Sequence, residues 1–484
     1  MKNKFCVLTT NIIILAFMLI FFTNIAPLII YNCDDWKYLG EMRLPIPLWG
    51  GWNPTRVFFE TFMPVVGKIA GYILYPINSN FVASVTMISA ILLSGLIVIM
   101  CIMLYQLLRI RFNRSVMHSL GMEVFFIAMF FLIFRTRSES NYMFCAEDLC
   151  CVYNYTMPGI INAIAVLWMA RHKDFNKSFK SYNAVKKILF VLLIYFALLS
   201  NIFHSVITVA YCGAIVLFDL LAEIRSKTFD IRRYIKNNSV HLTILFSWLV
   251  VLLFEKSGGR AGDFETVVDI GRTFLQLKTI ILALSIPFTV IVLISLVFFV
   301  WKVIYQRDLK LLQYVLIFAV SMLIVTVFLF MLNSIVGYMS RVDATWGIWF
   351  YLILIITLVM SDMLAFCKWR KFAFPLLLII VIICCYYPDG KYMISSSRNR
   401  NYDLCYKASS YYETNIVQAN ASGENYLEIA VPEVTIGAGT NLTFYPGFGE
   451  TVCKTLYLNG VVDEYFEPIE IVDPSLNKEF FEED

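Results

Sequence analysis

Two carboxylates stand side by side where a run of apolar residues ends. The segment Tyr31-Asn32-Cys33-Asp34-Asp35-Trp36 follows the first hydrophobic stretch. A turn-rich aromatic segment comes next, Trp49-Gly50-Gly51-Trp52-Asn53-Pro54-Thr55-Arg56, and it closes on a cation. A carboxylate can take the proton of an attacking hydroxyl. A guanidinium can hold the charge that develops on a departing phosphate. Acids and cations of this kind recur along the chain: Glu147 and Asp148 before Asn154, His204 after Asn201, Arg260 in Gly258-Gly259-Arg260-Ala261-Gly262-Asp263, and Arg341 two residues before Asp343. Asp34 and Asp35 are the candidate catalytic acids, with Asp34 favoured as base and Asp35 as a hydroxyl or metal ligand. Arg56, Glu147, Asp148, His204, Arg260 and Arg341 are candidates for binding substrate or phosphate. A divalent cation, Mg or Mn, is left open, with Asp35, Glu147 and Asp148 as its ligands.

Each candidate has a plainer alternative. Asp34 and Asp35 could be a solvated helix exit, and Arg56 a side chain snorkelling to the interface. Glu147 and Asp148 could be an exposed charged loop. His204 could be a hydrogen-bonded packing residue, and Arg341 could pair with Asp343. The Arg260 loop is no phosphate-binding P-loop, because it lacks the GK[ST] ending and a preceding strand.

The elements that must position these residues follow from composition. Of 484 residues, 59% are hydrophobic and 15% charged, and the mean hydropathy is +0.72. Soluble domains carry about 25% charged residues. Apolar runs of about twenty residues recur, each long enough to cross a bilayer. Alternating barrel strands are absent, so an all-α polytopic bundle is expected, with the lipid bilayer as partner and no nucleic acid. The 12 cysteines are scattered without CxxC or zinc spacing, although Cys405 and Cys453 share the tail and could pair there. Four separated histidines argue against a His-based metal site.

Eleven spans are expected, near 5–30, 81–108, 119–134, 158–171, 187–201, 203–222, 239–254, 279–301, 311–332, a tenth ending at Lys368, and 373–387. The first is too long for a cleaved signal peptide. Residues 31–80 form a long outer loop, with Val65 to Tyr75 as a short interfacial helix. Residues 1–387 make the membrane domain, and 388–484 a small mixed or β-rich extracytoplasmic domain. In the latter, Tyr426–Val431 and Thr455–Leu458 read as strands. With a cytoplasmic N-terminus, about 22 of the 39 Lys and Arg fall in inner segments, about 11 in outer loops and about 6 in the tail, as the positive-inside rule requires. All the candidate clusters then lie at the outer face.

The acidic pair after the first helix, the Trp/Gly/Arg loop, the span count and the outer tail resemble the GT-C superfamily of polytopic membrane glycosyltransferases. The bacterial GtrII-type glucosyltransferases and related uncharacterised families are the nearest in pattern. The resemblance implies transfer of a sugar from a polyprenyl-phosphate donor to a cell-surface glycan or polymer at the outer leaflet of the cell membrane, with inversion. Two other classes remain open: a transporter or flippase of a lipid-linked saccharide, which predicts ionisable residues at mid-membrane, and a non-catalytic scaffold, which predicts that Asp34 and Asp35 are replaceable.

Overall fold

A computed structural model describes the chain except for residues 1, 43–52, 135–138, 141, 145, 147, 228, 258–267, 338, 340, 368–369, 386–390, 393–401, 425, 434–446 and 482–484. Glu147, Arg260 and Trp49 to Trp52 therefore lie outside the described residues. The architecture is helical, as the apolar runs require. Helix α1 (Lys2–Ile20) continues as one π-helical turn to Ile25. Then come α2 (Cys33–Gly40), α3 (Val57–Ile69), α4 (Tyr75–Asn78), α5 (Phe81–Arg111), α6 (Val116–Leu132), α7 (Leu149–Cys151) and α8 (Met157–Ala170). The middle of the chain holds α9 (Phe175–Ser181), α10 (Ala184–Leu198), α11 (Ile202–Arg225), α12 (Ile231–Asn237), α13 (Ser239–Ser257), α14 (Ile270–Leu282) and α15 (Ile286–Gln306). The last membrane elements are α16 (Leu309–Val336), α17 (Trp346–Phe366) and α18 (Arg370–Cys385). Among the described residues, nine helical runs are long and apolar enough to cross a membrane by length and composition.

Contacts sort the helix termini into two ends. At a basic end, Asp362 near the close of α17 binds Arg114 ahead of α6 and Lys302 of α15, the latter at 2.7 Å. At the opposite end, Ser285 donates to the Leu132 carbonyl that closes α6, and His204 of α11 meets the Asp343 carbonyl ahead of α17. This second end carries the candidate residues and is called the site end.

One of the nine apolar runs, Pro54–Asn78, falls where the sequence suggests only a short interfacial helix within an outer loop. Both of its termini are tied to the site end. The Phe58 amide donates to the Leu199 carbonyl at the close of α10, and the Thr55 amide to Glu255 at the close of α13. At the other terminus, Asn78 bonds Ser84 in the first turn of α5. A helix pinned at one end of the bundle by both termini lies across it rather than through it. Two glycines permit its close packing: a Cβ on Gly67 would sit 2.5 Å from the Leu39 carbonyl of α2, and one on Gly71 would collide with the Asn459 carbonyl.

The tail, expected as mixed or β-rich, is mainly helical in its described part. Helices α19 (Tyr402–Ala421), α20 (Phe448–Leu458) and α21 (Asn477–Phe481) dominate its described part. One parallel strand pair accompanies them, β3 (Glu428–Val431) with β4 (Ile469–Val472); earlier in the chain, β1 (Glu139–Ser140) pairs with β2 (Lys391–Tyr392). The expected strand at Tyr426–Val431 is present as β3. Thr455–Leu458 instead lies in α20, where Phe448, Val452, Cys453 and Leu456 are buried at helical spacing. The tail docks on the site end. Glu413 of α19 accepts the first two amides of α5, from Phe81 at 2.6 Å and Val82 at 3.1 Å, satisfying donors that a helix start leaves open. Thr455 of α20 bonds the Trp36 carbonyl of α2 at 2.7 Å.

Candidate functional site

Helix α2 is built by its own first residues. Asn32 accepts the Asp35 amide at 2.8 Å, and the Asp35 carboxylate accepts the Asn32 amide at 3.3 Å. This reciprocal capping box fixes the entry into the helix. It separates the fates of the two acids. Asp35 points inward and is fully buried. Asp34, one position earlier, is exposed.

Asp35 uses both carboxylate oxygens. Oδ2 accepts from Tyr31 and Asn32, and Oδ1 accepts from the Cys150 amide at 2.7 Å. Asp148 is the N-cap of α7 and accepts the Cys151 amide at 2.6 Å. Asn32 Nδ2 donates to its other oxygen at 2.7 Å. Asn32 therefore joins the two acids. Burial and the Asp148 carboxylate together push Asp35 well above the usual carboxylate range, against the hydrogen bonds from Cys150, Tyr31 and Asn32. Burial raises Asp148 too, opposed by its bonds from Cys151 and Asn32 and by the Arg341 charge.

Arg341 closes the cluster from the α16–α17 connection. Gly337, at φ +76°, ends α16, and Arg272 of α14 donates to the Asn333, Ser334 and Ile335 carbonyls of its last turn. Asn333 Oδ1 then accepts the Met339 amide at 2.5 Å and steers the chain toward Arg341. The half-buried guanidinium holds Asp343 bidentately, Nε at 3.1 Å and Nη2 at 2.7 Å. It contacts Cys151 Sγ at 3.1 Å and lies 4.4 Å from the Tyr155 ring centroid. Burial alone would lower its pKa, and the Asp343 carboxylate reverses that. His204, fully buried in the first turn of α11, donates Nε2–H to the Asp343 carbonyl at 2.8 Å and meets Tyr155 edge-on.

Arg56 sits to the side of this cluster. It pairs with Glu60 at 2.6 Å and packs over Tyr38 and Phe59, with its Cζ 4.9 and 4.8 Å from their ring centroids. Tyr38 lies one helical turn after Asp34, on the same face of α2. Burial raises the Tyr38 pKa; the Arg56 charge opposes this and the Asp34 charge adds to it, so the phenol stands between the two.

No family model, curated protein or solved structure matches this chain.

Six of the candidate residues are described, and all six lie at the site end: Asp34, Asp35, Arg56, Asp148, His204 and Arg341. Four of them form one connected network, in the order Asp35, Asp148, Arg341 and His204, joined through Asn32, Cys151 and Asp343. Among the described residues no group of three or more His, Cys, Asp or Glu could hold a metal ion. Asp35 and Asp148 accept hydrogen bonds on both carboxylate oxygens, and Glu147, the third expected ligand, lies outside the described residues. Asn32, Cys150, Cys151 and Tyr155 were not among the candidates. Asn32 did carry a signal, since Asn followed three residues later by Asp is a capping-box pattern. The other three are apolar or aromatic residues in an apolar run and carried none.

Proposed function

We propose that this chain is a membrane glycosyltransferase of GT-C type. It would move a sugar from a polyprenyl-phosphate donor to a cell-surface glycan, with the N-terminus cytoplasmic and the tail extracytoplasmic. The observation that carries this is the arrangement at the site end. An exposed acid, Asp34, shares a helix face with a tyrosine that Arg56 covers, and a buried acid–arginine network lies directly behind it. A lipid-borne donor and a hydrated acceptor can meet only at such an interface.

Asp34 is the general base. It takes the acceptor hydroxyl proton as the oxygen attacks the anomeric carbon. The bond from that carbon to the phosphate oxygen breaks, and the polyprenyl phosphate leaves with the electron pair. Arg56 and Arg341 are the cations assigned to the phosphate, in exchange for their present partners Glu60 and Asp343. Asp35 and Asp148 take the positioning role: they fix α2 against α7 so that Asp34 faces outward. Attack opposite the leaving group gives inversion, in keeping with the resemblance. No step is routed through a metal.

The transport alternative has one observation in its favour. Glu123 of α6 is fully buried, and neither carboxylate oxygen has a hydrogen-bond partner among the described residues. Ionisable residues buried inside membrane bundles commonly mark transport paths. The deciding experiment is an in vitro transfer assay with radiolabelled polyprenyl-phosphate sugars and purified chain, run with wild type, Asp34→Asn and Glu123→Gln. Transfer lost in Asp34→Asn and kept in Glu123→Gln supports the enzyme. Movement of lipid-linked saccharide across vesicles that requires Glu123, with no transfer, supports the transporter.

A further inference from the structure

A groove of about 560 Å³ runs along the bundle surface between α10 and α13, and none of the acid-cluster residues lines it. Phe190, Ile194 and Leu198 line one wall, and Ile244 and Val251 the other. Ser239, Thr243 and Ser247 add hydroxyls on the α13 side, and no charged side chain is among the lining residues. The groove closes at the site end, where Val57 packs on Leu199 and Val251 and the Phe58 amide bonds the Leu199 carbonyl. Toward the basic end it reaches Phe179 of α9 and Ser239, the first residue of α13. There the chemistry changes sign. Lys180 follows Phe179, Lys186 and Lys187 lie one turn before Phe190 and Val191 on the same face of α10, and Lys236 lies just before Ser239. Lys180, Lys186 and Lys236 are exposed and Lys187 is half-buried. None of the four has a carboxylate partner among the described residues; the nearby Asp174 pairs instead with Lys177 at 2.9 Å.

We propose that this groove binds one anionic glycerophospholipid from the leaflet at the basic end, with an acyl chain between α10 and α13 and its headgroup among Lys180, Lys186, Lys187 and Lys236. An apolar crevice open to the bilayer keeps its lining in contact only if hydrocarbon fills it. The closed site end and the lysines at the other end set the direction of the chain. Lysines gathered at the groove's basic end attract negative lipids and have no preference for zwitterionic ones. The inference is independent of sugar transfer.

The test is native mass spectrometry of the full chain with dioleoyl phosphatidylglycerol, dioleoyl phosphatidylcholine or undecaprenyl phosphate. Wild type should retain phosphatidylglycerol at least about tenfold over phosphatidylcholine. Lys187→Gln/Lys236→Gln should lower that to the phosphatidylcholine level, and Ser247→Trp, which fills the groove, should abolish it. If Ser247→Trp does not fold, the lysine variant decides, since it alters only side chains at the groove mouth. Equal retention of the two glycerophospholipids, unchanged phosphatidylglycerol retention in the lysine variant, or preferential retention of undecaprenyl phosphate would each overturn the proposal.

Discussion

The Cys150 amide donates a 2.7 Å hydrogen bond to Asp35 Oδ1 across 115 positions of sequence. That bond turns an adjacent pair of acids into two residues with different work. Asp35 is locked into the junction of α2 and α7, and its neighbour Asp34 is left to face solvent.

Substitution should separate the two. Asp34→Asn should cut transfer by about 10²–10⁴-fold, the usual loss when a general base is removed, with thermal unfolding unchanged. Asp35→Asn sets an amide group against backbone donors that now have acceptors, and should destabilise by about 1–3 kcal/mol. Paired melting curves and transfer rates check both. Full activity in Asp34→Asn would remove the catalytic role.

Stability should fall as pH rises above the ordinary carboxylate range. Asp35 has a folded pKa raised well above the ordinary carboxylate value, by burial first and then by Asp148. Between those two values the folded chain holds a proton that the unfolded chain has released, so this stabilisation is complete at low pH and is lost as pH climbs through the folded pKa. Asp148→Asn removes the Coulombic cause, so the folded Asp35 pKa falls toward what burial alone sets; the loss of stability then ends at lower pH and is smaller in total, as read from melting temperature against pH. A slope identical to wild type would show that the two acids are not coupled.

Arg341 and Asp343 make the third test. Arg341→Ala leaves the buried Asp343 carboxylate unpaired, which costs about 3–5 kcal/mol when a buried pair is broken. Adding Asp343→Asn should restore yield and thermal stability. If Arg341 also holds the donor phosphate, the restored double variant should still fail to bind donor, and Arg341→Lys should bind it weakly because an ammonium cannot reproduce a bidentate guanidinium. Normal donor affinity in the double variant would confine Arg341 to a structural role.

Orientation is tested by labelling. In a background without reactive thiols, Ser422→Cys in the tail should react with an impermeant reagent in intact cells, and Ser226→Cys at the basic end should not; both positions are exposed. The reverse pattern would invert the topology.

What the sequence determined by itself was the solvent. Twenty-residue apolar runs, and the basic clusters between them, needed nothing but local composition, because the free energy of entering a bilayer sums over one segment at a time. The gathering of acids and cations at one end followed from the same alternation. The tertiary structure decided which of those residues are available. Asp34 and Asp35 look equivalent in sequence, and only the distant Cys150 amide and Asp148 distinguish them. Arg341 could equally face a ligand or Asp343 until the turn after Gly337 placed the two side chains together. Thr455–Leu458 reads as a strand by its residue types, yet packing against α2 selects a helix that buries Val452 and Leu456 on one face. Hydropathy is a property of a segment, whereas burial of a carboxylate and the partner it finds there are properties of surfaces brought together from far along the chain, and no local pattern encodes them.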